Sequence, residues 1–322
     1  MPKGRKEPTM ATTGTITITT DIAQANAVTH SGVFHGDDVF ATALLAFVLP
    51  EVKVARVFKL NEVNPDAVVY DTGMVYDPEK NRFDHHMQSF EEAYADGIKL
   101  SSFGLLWRQY GNQVLSNLGL EENLIHAAWG MVLNDLVKGV DAHDNGQVPP
   151  SNPRTMTVSM AISQFNPNWD SDFYPNEGFI MAVNFAMVVL ENTLRSAISR
   201  AKGKAVVEEA ISNASDGIME LPYFVPWQGI LSHSASPKAQ DILYVVFPSN
   251  RGGYSVQGVK VNPASGNDRR KPLPASWAGL NGEALADVSG VEDATFCHVA
   301  RFICSASSRK GALRLAKLAI AG

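Results

Sequence analysis

The pattern of apolar and polar positions in the first third of the chain predicts alternating strands and helices. Short apolar runs at residues 27–29 and 68–70 each end at a polar residue followed by turn formers, which is typical of buried parallel strands. Residues 39–49 are rich in Ala and Leu and predict a helix that stops at Pro50, and residues 52–58 alternate like a strand. This order predicts an α/β domain built on a doubly wound, mostly parallel sheet.

The rest of the chain predicts helices first and then a mixed region. An edge strand is expected at 15–20, two helices between 100 and 140, helices at 155–164, 177–212 and 312–319, and strands at 242–247, 254–261 and 295–299. We therefore predict three parts. Residues 1–24 are a disordered tail with an edge strand, 25–212 are an α/β domain that includes a helical linker, and 213–322 are a smaller α+β domain.

Composition and charge narrow the class of protein. The 322 residues, 45% of them hydrophobic, suffice for two domains with separate cores. A net charge of −6 excludes a globally basic nucleic-acid binder. Residues 259–322 nevertheless hold nine Lys or Arg against five Asp or Glu, a balance of +4. That basic segment could meet an anionic substrate, or it could be ordinary solvated surface.

Cysteine content and hydropathy predict the compartment. Cys297 and Cys304 are the only cysteines, too few for a disulfide framework. No apolar run reaches the roughly 20 residues of a membrane span, and the first ten residues lack the apolar centre of a signal peptide. We expect a soluble, cytoplasmic protein with no membrane association.

Candidate chemistry is concentrated in four patches. They are residues 29–38, 68–73, 84–86 and 139–146, and they hold five of the eight histidines together with several carboxylates. Imidazole plus carboxylate, without thiolate, suits a divalent cation such as Mn²⁺, Mg²⁺ or Zn²⁺. The ligands outnumber those that one ion needs. The surplus predicts a two-metal hydrolytic site, in which paired cations activate a water and hold a phosphoryl group.

Simpler interpretations exist for single residues of these patches. Asp37 or Asp38 could merely cap the following helix, and Asp84 could be a turn residue. His126, His233 and His298 are most simply hydrogen-bonded core histidines. His30 and Asp71 both lie at predicted strand ends, however, where ligands collect in open α/β sheets. The convergence of four patches favours a metal site over packing.

These patches also carry a resemblance to known proteins. The tripeptide Asp84-His85-His86 with upstream His/Asp motifs resembles the DHH phosphoesterase superfamily. Residues 29–38, 76–78, 82–86 and 141–146 are more closely similar to the Myg (melanocyte-proliferating-gene) family, whose members are metal-dependent 3′–5′ RNA exonucleases. The likeness continues through residues 273–280 and 311–313. It implies a DHH-like catalytic domain over 25–212 and a substrate-binding domain over 213–322.

The resemblance also implies how two divalent cations, most simply Mn²⁺, would be held. His30, His35 and Asp71 would bind one cation, and Asp37, Asp71, His85 and Asp141 would bind the other, so that Asp71 bridges the pair. Most superfamily members place an Asp where this chain has His35, so Asp38 is the alternative to His35 as ligand.

Other residues receive catalytic or substrate roles from the same resemblance. His86 would face the phosphoryl group and Asp84 would orient the imidazoles, while Asp38 completes the catalytic set and Asp144 is a reserve ligand. Many relatives carry a glycine-rich motif with a histidine in the second domain. The matching stretch of this chain, residues 302–311, has no histidine. Arg301, Ser305, Arg309 and Lys310 are the remaining candidates for substrate binding.

The function expected from sequence is a two-metal phosphodiesterase that hydrolyses RNA or short oligonucleotides from the 3′ end. One alternative is a small-substrate phosphohydrolase that acts on pyrophosphate or nucleotide phosphates. The other is a non-catalytic metal-binding partner protein on the same fold, against which the many costly buried carboxylates argue. A homodimer is a further state that the sequence leaves open.

Overall fold

The computed structural model describes residues 13–60, 62–172, 174–262 and 268–322. The disordered tail predicted for the first ten residues lies outside these ranges. The chain divides into two compact units, the first ending at Ile198 and the second running from Ser199 to Gly322. Both units combine helices with a sheet, so the mixed α/β class is confirmed, whereas the doubly wound, DHH-like arrangement stays a prediction.

The first unit contains a six-stranded sheet that positions the His and Asp patches. Its strands are β1 (Thr15–Thr19), β2 (Ala27–His30), β3 (Glu51–Val57), β4 (Val68–Tyr70), β5 (Tyr76–Asp77) and β6 (Arg82–Phe83). Their order is β1-β3-β2-β4-β6-β5, and every neighbouring pair is parallel except β5 with β6. The predicted edge strand, the two predicted parallel strands at 27–29 and 68–70, and the strand predicted at 52–58 are confirmed. The short strands β5 and β6 were missed, because two residues carry no periodic signal.

Five helices of the first unit precede its long last helix in the chain. They are α1 (Gly36–Leu45), α2 (Ser102–Asn117), α3 (Glu122–Val132), α4 (Lys138–Asp144) and α5 (Val158–Ser163). All residues of α1 are buried, and α1 contacts α2, α4 and α5. A π-helical turn at Leu133–Val137 joins α3 to α4, a feature that often occurs near functional sites. The second of the two helices predicted between 100 and 140 was expected to end at about residue 140, whereas α4 continues to Asp144.

Helix α6 (Pro175–Ser212) contains the division between the two units. The domain boundary predicted near residue 212 is the end of this same helix, and it stays a prediction. By length and composition α6 could cross a membrane, but 39% of its most apolar window is buried, and a single such helix is weak evidence. In its first half, Phe179, Val183 and Leu190 form a buried face at helical spacing.

The second unit is built on a five-stranded sheet. Its strands are β7 (Ile218–Glu220), β8 (Tyr244–Pro248), β9 (Tyr254–Gly258), β10 (Ala294–Cys297) and β11 (Ile303–Ala306), in the order β10-β11-β9-β8-β7. Only β7 and β8 are parallel. Its helices are α7 (Gln228–Ser232), α8 (Lys238–Asp241), α9 (Gly282–Ser289) and α10 (Arg309–Ala321). The strands predicted at 242–247 and 254–261 are confirmed as the antiparallel hairpin β8–β9, whereas β7, β11 and the helices α7, α8 and α9 were missed.

The two faces of this second sheet differ in what covers them. Alternate residues such as Val256 and Cys304 share a core with Leu315 of α10. On the other face, Val245 of β8 shares a separate core with Ile230 of α7. The residues of β9 and β11 that alternate with the first set belong to neither core. The part of this second face formed by β9 and β11 therefore belongs to neither hydrophobic core.

Candidate metal centre

Three adjacent parallel strands carry the His and Asp patches to one edge of the first sheet. His30 is the last residue of β2, Asp71 directly follows β4, and the Asp84–His86 run directly follows β6. Since β2 pairs with β4 and β4 pairs with β6, all three carboxyl ends lie side by side. The strand-end convergence expected from the sequence is therefore what the sheet produces.

Helix α1 brings two further carboxylates to the same place. Asp37 and Asp38 lie in its first turn and are completely buried. The backbone N–H of His35, the N-cap residue, donates to Asp38 Oδ1 at 2.9 Å. The positive end of the helix dipole favours both carboxylates, which offsets part of the cost of burying them.

Asp71 lies between two imidazoles. Its Oδ2 is 3.2 Å from His30 Nε2, and its Oδ1 is 3.2 Å from His85 Nε2. The hydroxyl of Ser102 also donates to Oδ1 at 3.3 Å. The backbone of Asp71 is left-handed, with φ of 56°, which costs a non-glycine residue about 1–3 kcal/mol and is typical of functional sites. These contacts hold the Asp71 carboxylate at the centre of the cluster, on a strained backbone.

The carboxylates change the proton affinity of the imidazoles between them. Burial lowers the pKa of His30, but contacts with Asp38 and Asp71 outweigh burial and raise it to about 11. Burial also lowers the pKa of His85, but contacts with Asp37 and Asp71 outweigh burial and raise it to about 10. Burial raises the pKa of Asp71, yet His30 and His85 bring it well below its usual range. Positive charge, from protons or from cations, is therefore what this cluster requires.

One further observation indicates that these side chains could bind a divalent cation. Asp37 Oδ1 is buried and has no hydrogen-bond partner among the described residues. A buried carboxylate oxygen without a partner is expensive, and a bound cation would satisfy it. Oxygen and imidazole donors without thiolate match Mn²⁺, Mg²⁺ or Zn²⁺ rather than a soft metal.

Among the residues that the structure describes, four overlapping groups could each hold an ion, with ligand atoms within 4.8 Å of one another. They are His30 with His35 and Asp71, Asp71 with His85 and His86, His35 with Asp37 and Asp144, and Asp37 with Asp38 and Asp71. Asp71 belongs to three of the four groups. The first group coincides with the first ligand set expected from the sequence.

Asp141 lies beside this cluster and belongs to none of the four groups. Its buried carboxylate accepts hydrogen bonds from the Ser101 hydroxyl at 2.6 Å, the Tyr94 hydroxyl at 2.7 Å and the Gly104 backbone at 3.0 Å. Asp144, one helical turn later, instead has Oδ2 3.4 Å from His85 Nε2. The ligand role of Asp141 stays a prediction, and this geometry favours the reserve residue Asp144.

His86 and Asp84 form a pair at the edge of the cluster. Asp84 Oδ1 is 2.7 Å from His86 Nδ1, and Asp84 also accepts from the backbone N–H groups of Met74, His85 and His86. The contact with Asp84, opposed by burial, raises the pKa of His86. The His86 side chain is 53% exposed, against 7% for His85. This arrangement matches a positioning carboxylate behind an exposed imidazole.

The surroundings of Asp38 favour a different role from the catalytic one expected from the sequence. It has no exposed surface, its Oδ1 receives the His35 N–H, and its Oδ2 is 3.3 Å from His30 Nε2. Burial raises its pKa to about 6, against the opposing contact with His30. These contacts favour positioning of His30 over contact with a substrate, and the catalytic assignment stays a prediction.

Several residues that hold the cluster together were missed from the sequence. Ser101, Ser102 and Tyr94 bind the carboxylates of Asp141 and Asp71. Ser101 and Ser102 directly precede an apolar run with helical spacing, so the start of a helix was predictable there. Their contacts with particular carboxylates were not predictable from the sequence. A cavity of about 280 Å³ lies at the cluster, lined by residues that include His35, His86, His143, Asp144 and Ser159.

The four predicted substrate-binding residues lie in the second unit. Arg309 pairs with both carboxylate oxygens of Glu220, at 2.7 and 3.0 Å, and Lys310 is exposed. The Ser305 hydroxyl is 2.8 Å from that of Thr295. Arg301 donates weakly, at 3.4 Å, to a backbone carbonyl. Their roles in substrate binding stay predictions.

Fold and cluster together define a mixed α/β protein with an acidic, histidine-rich site suited to divalent cations. The MYG1 exonuclease family model, described as an uncharacterised protein family (UPF0160), matches residues 26–320. The human MYG1 exonuclease is 32% identical over 91% of this chain and 85% of its own length. The MYG1 protein of Dictyostelium discoideum is 30% identical over 89% of this chain and 94% of its own length. The chain belongs to the MYG1 family. The search of solved structures found no match.

Proposed function

We propose that this protein is a divalent-metal-dependent phosphodiesterase of the DHH superfamily that removes nucleotides from the 3′ end of RNA or short oligonucleotides. The proposal includes a two-cation site, with Mn²⁺ as the cation. The relatives named MYG1 exonuclease support the nuclease activity. The free thiols of Cys297 and Cys304 support the cytoplasm as its location.

The position of Asp71 is the observation that carries the two-cation proposal. Its two oxygens contact imidazoles on opposite sides, and it is shared by three of the four possible ligand groups. A carboxylate shared in this way suits a bridge between two ions a few ångströms apart. Two such ions would lower the pKa of a water and neutralise charge on the phosphoryl oxygens.

The chain's own residues have separable parts in this proposal. His30, His85 and the buried carboxylates bind and hold the cations. Asp84 orients His86, whose exposed imidazole can donate a hydrogen bond to a phosphoryl oxygen. Ser102 fixes the rotamer of Asp71 through its hydroxyl. Preorganised donors and charges of this kind are the main source of catalysis in phosphoryl transfer.

The direct test is a parallel hydrolysis assay with added Mn²⁺. Single-stranded RNA and DNA, each labelled at the 3′ or the 5′ end, are compared with pyrophosphate, and products are resolved by length. We expect release of single nucleotides from the 3′ end of RNA. A matched control pair is Asp71→Asn, which should be inactive, and Asp66→Asn at an exposed position just before β4, which should be fully active.

Each substrate in the assay separates one alternative. Hydrolysis of pyrophosphate without attack on RNA would favour the small-substrate phosphohydrolase. Metal binding without hydrolysis of any substrate would favour the non-catalytic partner protein. Internal cleavage, or loss of nucleotides from the 5′ end, would refute the 3′–5′ direction while leaving the metal centre in place.

A further inference from the structure

The second unit contains a cavity of about 780 Å³ on the uncovered part of its sheet. Its floor is formed by alternate residues of two neighbouring strands, Ser255 and Gln257 of β9 and Ile303 and Ser305 of β11. The residues between them, such as Val256, belong to the core on the other face. A volume of this size lies in the range of about 300–1,000 Å³ that is usual for small-molecule sites.

Aromatic rings stand on two sides of this floor. Phe224 and Phe247 lie with ring centroids 5.2 Å apart, and His298 and Phe302 with centroids 4.4 Å apart. Phe224 is 42% exposed and Phe296, another lining residue, is 37% exposed. Exposed aromatic rings that converge on one cavity indicate a binding site rather than packing. His298 is thus a wall of this cavity and not the core histidine expected from sequence.

The polar residues that line the cavity favour a ligand of one charge over another. None of the described lining residues is an Asp or a Glu, although the chain as a whole carries a net charge of −6. Arg251 lies on the β8–β9 loop at the cavity, and the hydroxyls of Ser305 and Thr295 are 2.8 Å apart on its floor. Hydroxyls and one guanidinium, without carboxylates, complement an anionic or neutral polar ligand and disfavour a cationic one.

We propose that this cavity binds an unpaired nucleobase together with its sugar and phosphate. The exposed rings of Phe296 and Phe224 stack on the flat base, because every base offers a π-face. Gln257 and the hydroxyls bind the base edge and the sugar, and Arg251 binds the phosphate. The proposal rests on the proposed function in one respect, that the substrate is a nucleic acid. It assigns a metal-independent binding site in the second unit.

The test measures binding in EDTA, where hydrolysis is absent. The probes are a labelled single-stranded hexamer of adenylate and an abasic hexamer with the same number of phosphates. The intact protein is expected to bind the base-bearing probe at least about fivefold more tightly, the effect of one stacked base. Phe296→Leu should remove most of this preference and leave the abasic probe's affinity unchanged. Phe58→Leu, 99% exposed in the first unit, is the matched control.

Two further variants keep the result interpretable. Arg251→Gln should weaken both probes equally, because it removes a phosphate contact and not a stacking contact. Asp71→Ala should abolish hydrolysis yet retain the base preference in EDTA, so a failure of the proposed function is distinguishable from a failure of this site. Unchanged melting temperatures in Phe296→Leu exclude loss of folding as the cause.

Three outcomes would overturn the proposal. The first is equal affinity of the intact protein for the base-bearing and abasic probes. The second is a base preference that survives Phe296→Leu and Phe224→Leu together. The third is a double-stranded probe that binds as tightly as the unpaired one, since paired bases cannot enter the cavity.

Discussion

The candidate metal centre of the first unit and the cavity of the second unit are built on opposite physical principles. The metal centre packs buried carboxylates such as Asp37, Asp38 and Asp71 around imidazoles, and it holds Asp71 in a strained backbone conformation. The cavity is wide and free of carboxylates among its described lining residues. Its hydroxyls and aromatic rings are stable in water without a ligand.

This contrast shows how strongly each site depends on its ligand. A cluster of buried carboxylates is stable only when protons or cations compensate its charge, so its residues must work together. The cavity needs no such compensation, so each of its residues contributes separately. We therefore expect large, cooperative losses from substitutions in the first site and small, additive ones in the second.

The largest effect is expected for Asp71→Ala. Because three ligand groups share Asp71, both ions should be lost, and activity should fall by more than about 100-fold, the upper range for removing even an indirect metal partner. Metal content after dialysis, measured by elemental mass spectrometry, tests this. Asp66→Ala is the control. Unchanged stoichiometry in Asp71→Ala would rule out the bridging assignment.

The neighbours His85 and His86 are expected to differ in kind. His85→Ala should weaken metal binding, because its buried ring contacts Asp37, Asp71 and Asp144. His86→Ala should retain the metals and lower kcat by about 10²–10³-fold, the usual cost of removing one hydrogen-bond donor to an oxygen that gains charge in the transition state. Metal titration and steady-state kinetics on both variants separate these effects. Equal metal loss in the two variants would contradict the assignment.

Asp141 and Asp144 allow a direct comparison of sequence and structure. Asp144→Asn should lower metal content by one ion, because Asp144 lies against His85. Asp141→Asn should keep the metals and destabilise the fold by about 1–3 kcal/mol, because an asparagine has one acceptor oxygen and cannot accept from the donors on both oxygens of Asp141. Metal content and urea unfolding measure the two effects. The reverse result would restore Asp141 as the ligand.

The metal-free protein should become less stable as the pH rises. Burial raises the pKa of Asp38 to about 6 and that of Asp144 to about 8. Against burial, carboxylate contacts raise the pKa of His85 to about 10 and that of His30 to about 11. All four folded values exceed the ordinary ones, so their stabilisation is fully present below the ordinary pKa values and is lost as the pH rises through the folded ones. The loss is complete by about pH 6 for Asp38 and about pH 8 for Asp144, and it continues to about pH 10 for His85 and about pH 11 for His30.

Melting temperatures in EDTA at pH 6 to 9 measure this loss, at about 2–4 °C per kcal/mol. Cations replace the bound protons, so the metal-loaded protein should show a flatter profile and should release protons on loading. A metal-free protein whose melting temperature rises over this range would show that the buried groups bind protons less tightly than inferred.

The smallest effect is expected in the basic segment of the second unit. Neutralising Arg309 and Lys310 together should weaken oligonucleotide binding and flatten the log–log salt dependence by about 0.7 per lost single-strand phosphate contact. Glu220 already pairs with Arg309, so Glu220→Gln should change binding in the opposite direction. Fluorescence anisotropy at several salt concentrations tests both. An unchanged slope would identify this segment as solvated surface.

The sequence alone determined the elements with a strong local signal. The apolar runs of β2 and β4, the helix α1 and the hairpin β8–β9 were predictable because burial imposes periodicity on consecutive residues. The meeting of the His and Asp patches at one place was predictable for a related reason. Residues that follow strands in an α/β sheet converge at one edge, whatever the details of packing.

Tertiary structure alone decided which side chains meet. The contacts of Ser102 with Asp71 and of Tyr94 with Asp141 join residues 31 and 47 positions apart, and no local pattern marks them. The choice between Asp141 and Asp144 depends on the rotation of a helix that contains a π turn. The cavity of the second unit depends on strand order, because the paired residues of β9 and β11 are 46 to 52 positions apart in the chain. The alternation of residues along a strand decides which face of the sheet each side chain lies on. Only the strand order and register of the folded chain decide which residue lies beside it on the neighbouring strand.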